Sequence, residues 1–267
     1  MRLDDVRGFV FDVDGSLVHR GPDFRARPLP GAVELLDAIR ASGRPLVLFT
    51  NGSHVGPEAF ARGLREDGLP VEDQELLTPV CSALSYLARR HSGEAAIVFA
   101  SEATTQRMAR AGVPLADDVD AGVVFVAHVE EVDLHRMERA ARAVTHGARL
   151  LTANYQRGYW GANGLVFSRG AMVTAGIARV TGARPVVVGK PSKAAVHEVS
   201  DRLGLASEEL AVIGDDLDMD VALGRLGGSR TVLVRSGISG AVDMARVPER
   251  RRPDAVIDGV EEMLGWL

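Results

Sequence analysis

Apolar residues in this chain fall into short unbroken runs, and most of the runs stop abruptly at a polar residue or a glycine. The first is Gly8-Phe9-Val10-Phe11. Others cover 45–49, 95–100, 122–127, 149–152, 185–188, 210–214, 231–234 and 255–257. Runs of this length, rich in Val, Ile, Leu and Phe, predict buried β-strands. Between them lie amphipathic segments. In 32–41, Val33, Leu35, Leu36 and Ile39 recur at helical spacing after Pro30-Gly31. The same reading predicts helices over 57–67, 78–91, 102–111, 134–145 and 170–180, and one from an N-capping Ser192 to Leu203. Strand and helix alternate, which predicts an α/β fold on a parallel sheet. The pattern restarts near residue 84. Residues 154–164, rich in Gly and aromatics, are expected to form a loop.

The ends of the strands carry the chemistry. The first run stops at Asp12-Val13-Asp14-Gly15, and carboxylates two residues apart leave the same face of a strand end. The second stops at Thr50-Asn51-Gly52-Ser53. A short run ends at Gly189-Lys190-Pro191, and another at Gly214-Asp215-Asp216-Leu217-Asp218-Met219-Asp220. An Asp-Gly pair after one strand is an ordinary turn. Several strands ending in carboxylate, hydroxyl and amine make a site, because ligands of open α/β sheets bind at the carboxyl ends. Carboxylates meeting in one cleft repel each other and call for a cation, and hard oxygen ligands suit Mg²⁺. Asp216 and Asp218 share the acidic loop with Asp215. A solvated turn also favours acids, so the sequence leaves open which of them ligates. Thr50 and the amides after it can hold phosphate oxygens, and Lys190 can neutralise them. One aspartate can attack phosphorus and the other can move the proton.

Composition narrows the partners. Of 267 residues, 46% are hydrophobic and 25% charged, and the net charge is −5. No basic surface calls for nucleic acid. The short basic run Glu249-Arg250-Arg251-Arg252 is expected to be a solvated loop. Cys81 is the single cysteine, so no intrachain disulfide can form, and it is expected as a small core residue. There is no signal-like apolar segment at the start and no run long enough to span a membrane, so the expectation is a cytoplasmic protein without a membrane partner. Lysine occurs only at Lys190 and Lys193 among many arginines. A compact ammonium at Lys190 suits a phosphate site that a planar guanidinium would not fit. His19, His54 and His128 are expected to be structural.

The four strand-end segments, in order, resemble the motifs of haloacid dehalogenase-like (HAD) hydrolases, and specifically the NagD-like, p-nitrophenyl phosphatase-like group of subclass IIA. Leu17-Val18-His19-Arg20-Gly21, Gly147-Ala148-Arg149-Leu150-Leu151 and the long insert between the second and third motifs add to the resemblance, which spans essentially the whole chain. It implies a doubly wound, Rossmann-like core of residues 1–83 and 184–267, with an α/β cap inserted over 84–183. It implies a Mg²⁺-dependent phosphatase acting on a small phosphorylated metabolite of the sugar phosphate, phosphoglycolate or pyridoxal phosphate class. Asp12 would be the nucleophile and Asp14 the acid/base, with Asp12, Asp14 (through its carbonyl) and Asp215 on the metal. Thr50, Asn51, Gly52 and Lys190 would hold the phosphoryl group, and Asp220 would stand behind Lys190. Arg157, Tyr159 and Trp160 of the insert are candidates for the leaving group. A homodimer through the cap is expected.

The chain departs from the group at Gly52, where a second Asn is usual, and at Ala153-Asn154-Tyr155-Gln156, where Thr-Asn-Pro-Asp is common. The alternative is a phospho-acceptor or phosphometabolite-binding protein with little turnover. Asp14 speaks against a lasting phospho-aspartate, and the complete Asp12, Asp14, Lys190, Asp215 set speaks against simple binding. A dehalogenase needs neither the metal nor the second aspartate. A dinucleotide-binding protein would carry Gly-x-Gly-x-x-Gly after the first strand, where this chain has acids.

Overall fold

A computed structural model describes residues 3, 5–21, 23, 25–161 and 164–267, with the backbone alone at 159–161, 164 and 165. In chain order the strands are β1 (Gly8–Phe11), β2 (Val18–Arg20), β3 (Ala26–Pro28), β4 (Leu46–Phe49), β5 (Leu76–Leu77), β6 (Ala96–Phe99), β7 (Val123–Val126), β8 (Arg149–Thr152), β9 (Gly158–Gly161), β10 (Gly164–Phe167), β11 (Val186–Val187), β12 (Leu210–Gly214), β13 (Arg230–Val234) and β14 (Ala255–Ile257). The α-helices are α1 (Ala32–Ala41), α2 (Pro57–Glu66), α3 (Pro79–Arg90), α4 (Glu102–Arg110), α5 (Leu134–Thr145), α6 (Arg169–Thr181), α7 (Lys193–Leu203) and α8 (Ala222–Gly227). Among the described residues, no helix is long and apolar enough to cross a membrane.

The chain divides into two compact units. The first comprises Met1–Thr50, Pro57–Leu77 and Lys190–Leu267; the second comprises Asn51–Gly56 and Thr78–Gly189. The expected insert, 84–183, lies inside the second unit, which also takes three segments expected in the core, 51–56, 78–83 and 184–189.

The first unit is built on one six-stranded parallel sheet in the order β14-β13-β12-β1-β4-β5. The fold is doubly wound: the chain runs outward from β1 through β4 to β5, then returns to the other side of β1 with β12. Every residue of β1, β4 and β12 is buried, which is why these strands read as unbroken apolar runs. The reversal of order falls between β1 and β12, and Phe11 pairs with Ile213 there. That is the switch point at which α/β sheets open a crevice. α1 lays Leu35, Leu36 and Ile39 into the core. The Ser192 side chain caps α7 by accepting from the Ala195 N–H at 3.0 Å.

The second unit has a four-stranded parallel sheet in the order β11-β8-β7-β6. Ile97, Phe99, Val124, Val126 and Leu150 form its core together with Ala140, Ala143, Val173 and Ile177 from α5 and α6. Cys81 is buried in α3.

Three features differ from the expectation. The segment expected as a loop, 154–164, carries β9 and leads into the antiparallel partner β10, with Tyr159 opposite Val166 and Trp160 opposite Leu165. The antiparallel pair β2–β3 and the two-residue β5 were also not read from the sequence. All are too short to build a periodic signal. The basic run forms a short 3₁₀ turn over Glu249–Arg251, exposed as expected.

Candidate active site

The site grows from the carboxyl ends of β1 and β12. The Asp12 N–H donates to Ile213 O at 2.8 Å, so the sheet ladder continues one residue past the strand and fixes where the Asp12 side chain begins. One carboxylate oxygen each from Asp12, Asp215 and Asp220 lies within 4.8 Å of the others. Lys190 enters between two of these acids. Its Nζ donates to Asp12 Oδ1 at 2.6 Å and to Asp220 Oδ1 at 2.7 Å, and it lies 5.6 Å from the centre of the Phe49 ring. Lys190, Asp215 and Asp220 are each no more than 3% exposed.

Buried charge at this density is tolerable only because it is paired. Burial alone would depress the Lys190 ammonium, but the charges of Asp12 and Asp220 outweigh it and raise its pKa. Burial, reinforced by the Asp12 charge, pushes the Asp215 carboxyl up to about 7. Asp220 is pushed up to about 8 by burial, against the pull of Lys190.

The acids play unequal parts. Asp220 accepts through both oxygens from protein donors, Oδ1 from Lys190 and Oδ2 from the Asp216 N–H at 3.1 Å. It braces the ammonium. Asp215 accepts the Ile238 N–H on Oδ2 at 2.7 Å. Asp216 uses Oδ1 to cap the Asp218 N–H at 2.7 Å, and Asp218 is exposed and ion-paired with Arg251. The two acids that the sequence left undecided are therefore a turn cap and a surface ion pair. With Asp220 engaged by Lys190 and the Asp216 N–H, Asp12 and Asp215 are the hard oxygen donors of the cluster that fit a small divalent cation.

Asp14 is turned elsewhere. Its Oδ1 accepts from Arg20 Nε at 2.5 Å, and the Arg20 guanidinium stacks 5.3 Å from the Phe60 ring centre. Burial raises the Asp14 carboxyl above the usual range, opposed by Arg20 and assisted by the Asp12 charge. Arg20 was not read as a site residue; the tight turn after β1, closed by the Gly15 N–H on Val18 O at 2.8 Å, brings β2 back beside Asp14. Thr50 is buried at the end of β4, and its N–H donates to Leu77 O at 3.2 Å.

The remaining candidates belong to the second unit. Asn51 O accepts from Asn154 Nδ2 at 3.3 Å, and Ser53 Oγ accepts the His128 N–H at 3.2 Å. Gly52 lies in the same segment. Arg157 is exposed just before β9. The side chains of Tyr159 and Trp160 lie outside the described residues.

Known proteins are similar to this chain in sequence and fold. Residues 9–114 match the family described as haloacid dehalogenase-like hydrolase, and residues 187–263 match HAD-hydrolase-like proteins. Ribonucleotide monophosphatase NagD of Escherichia coli K12 is 30% identical over 261 residues, covering 97% of this chain and 98% of that protein. An acid sugar phosphatase of Staphylococcus aureus is 25% identical over 242 residues, 91% of each chain. The solved structure of p-nitrophenyl phosphatase from Archaeoglobus fulgidus superposes with a TM-score of 0.87 at 28% identity, covering 98% of this chain and 100% of that one. The chain belongs to the haloacid dehalogenase-like hydrolases and, within them, to the NagD-like group of subclass IIA. It is an enzyme of the phosphoric monoester hydrolase class.

Proposed function

We propose that this enzyme hydrolyses small phosphomonoesters of the sugar phosphate, phosphoglycolate or pyridoxal phosphate class, through a phospho-aspartate on Asp12 and with Mg²⁺. The observation that carries the reading is Lys190 Nζ held between Asp12 and Asp220, with Asp215 in the same cluster. In this reading Asp12 and Asp215 hold the cation, joined by the Asp14 carbonyl. When bound, Mg²⁺ neutralises phosphoryl oxygens and lowers the cost of bringing an anionic ester to an acidic cleft.

The protein's own groups do the rest. An Asp12 oxygen attacks phosphorus, and the bond from phosphorus to the leaving oxygen breaks. The Asp14 carboxyl gives a proton to that oxygen. Water then attacks the phosphorus of the acyl phosphate and loses a proton to Asp14. The Asp12–phosphorus bond breaks, which frees inorganic phosphate and restores the carboxylate. Lys190 balances charge on the phosphoryl oxygens, and Thr50 and Asn51 orient them. In this reading the second unit is the cap, and Arg157, Tyr159 and Trp160 are its candidates for recognising the leaving group.

The test is nitrophenol release from p-nitrophenyl phosphate, with Mg²⁺ or with a chelator, by wild type and Asp12→Asn. Turnover that needs both the metal and Asp12 is expected. Undiminished turnover in chelator or by Asp12→Asn would overturn the reading.

A further inference from the structure

Residues 236–239 follow β13 and carry no charged side chain, and none of the four strand-end motifs includes them. They nonetheless touch both loops that hold the acids. The Ser236 hydroxyl donates to Gly15 O at 2.6 Å, one residue beyond Asp14. The Ile238 N–H donates to Asp215 Oδ2 at 2.7 Å, and the Ser239 N–H to Asp215 O at 2.9 Å. The Ser239 hydroxyl, nearly buried, accepts the Leu217 N–H at 3.1 Å. The three strands of backbone meet without room to spare. A Cβ at Gly15 or at Gly237 would collide with Asp215 Oδ2, and Gly15 also adopts a φ of +89°, which other residues rarely take.

We infer that this serine turn is a positioning element that fixes the separation between the loop of Asp12 and Asp14 and the carboxylate of Asp215, and so tunes the site to a small cation. The inference rests on the proposed cation site. The Ile238 amide holds one Asp215 oxygen and thereby sets the direction of the other. Ser236 ties the loop after β1 to the same turn, so the two ligand-bearing loops cannot drift apart independently. Such spacing matters most for Mg²⁺, which demands near-ideal octahedral geometry at about 2.1 Å, whereas Ca²⁺ accepts looser sites at about 2.3–2.6 Å. Groups that orient metal ligands in this way are worth about 10–100-fold in affinity.

Ser236 is exposed, so its removal spares the core. The test uses the full chain as wild type, Ser236→Ala and Ser236→Thr, with Mg²⁺ and Ca²⁺ dissociation constants read by calorimetry. Ser236→Ala is expected to lose about 10-fold in Mg²⁺ affinity and much less for Ca²⁺, and Ser236→Thr, which keeps the hydroxyl, to recover the Mg²⁺ value. Unchanged Mg²⁺ affinity in Ser236→Ala, or an equal loss for both ions, would overturn the inference. Wild type that binds neither ion would overturn the cation-site reading beneath it, and the inference with it.

Discussion

The two units of this protein carry sheets of the same construction with opposite strand ends. In both, parallel strands are buried almost throughout, as in β1 and β12 of the first unit and β6 and β7 of the second. In the first unit the strands run out into Asp12, Thr50 and Asp215. In the second they run out into Ala100-Ser101, Ala127-His128 and Ala153-Asn154. The second set holds no carboxylate, and burial and the nearby Arg169 charge hold the His128 pKa below its ordinary value. The polar groups there serve local structure, as Ser101 does by capping α4. Parallel packing makes the crevice, and the residue just past each strand decides whether it becomes a charged reaction centre. Only the first sheet needs a buried ammonium to balance its ends.

Removing that ammonium should therefore break the comparison most visibly. Lys190→Met leaves Asp12 and Asp220 buried without their partner, and breaking such a pair typically costs about 3–5 kcal/mol. Urea denaturation in chelator is expected to show that loss. A stability within about 1 kcal/mol of wild type would mean that Lys190 does not balance the acids.

A smaller effect lies in the pH dependence of cation binding. The folded-state pKa of Asp215 is raised to about 7 from 3.8, so the folded protein holds that proton more tightly than the unfolded chain does. Its stabilising contribution is fully present below the unfolded value and is lost as pH rises through about 7. Asp220, raised to about 8, has the same sign. A divalent cation must displace the proton on Asp215. The thermal stabilisation given by a fixed Mg²⁺ concentration should therefore grow between about pH 5 and pH 9. Apparent affinity should weaken by about tenfold for each unit below the Asp215 value. A Mg²⁺ shift independent of pH would place the cation away from Asp215.

Much of this was legible in the sequence, for physical reasons that differ from part to part. β1, β4 and β12 are buried throughout, so their sequences are unbroken apolar runs. The acids at their ends stand out because nothing about packing requires them. The hairpin of β9 and β10 was hidden: its strands are four residues each, and glycine and aromatic content suits a loop equally well. Asp216 and Asp218 could not be told apart, because solvation and capping are set by which way the turn winds. Arg20 was invisible as a partner of Asp14, since a three-residue strand has to fold back to bring it there. The hold of residues 236–239 on Asp215 works largely through backbone N–H groups, which every residue but proline carries, so composition gives no sign of it.

The central claim is that phosphoryl passes through Asp12 with Asp14 moving the proton. It is tested most directly by rapid acid quench and peptide mass spectrometry of Asp14→Asn mixed with p-nitrophenyl phosphate and Mg²⁺. Nitrophenolate leaves with little need of a proton, so the first step should proceed, while the second lacks its base and slows by about 10²–10⁴-fold. The account predicts a burst of nitrophenol equal to the enzyme and a phosphoryl group on the peptide containing Asp12. Steady turnover at the wild-type rate with no phosphoryl on that peptide would contradict it.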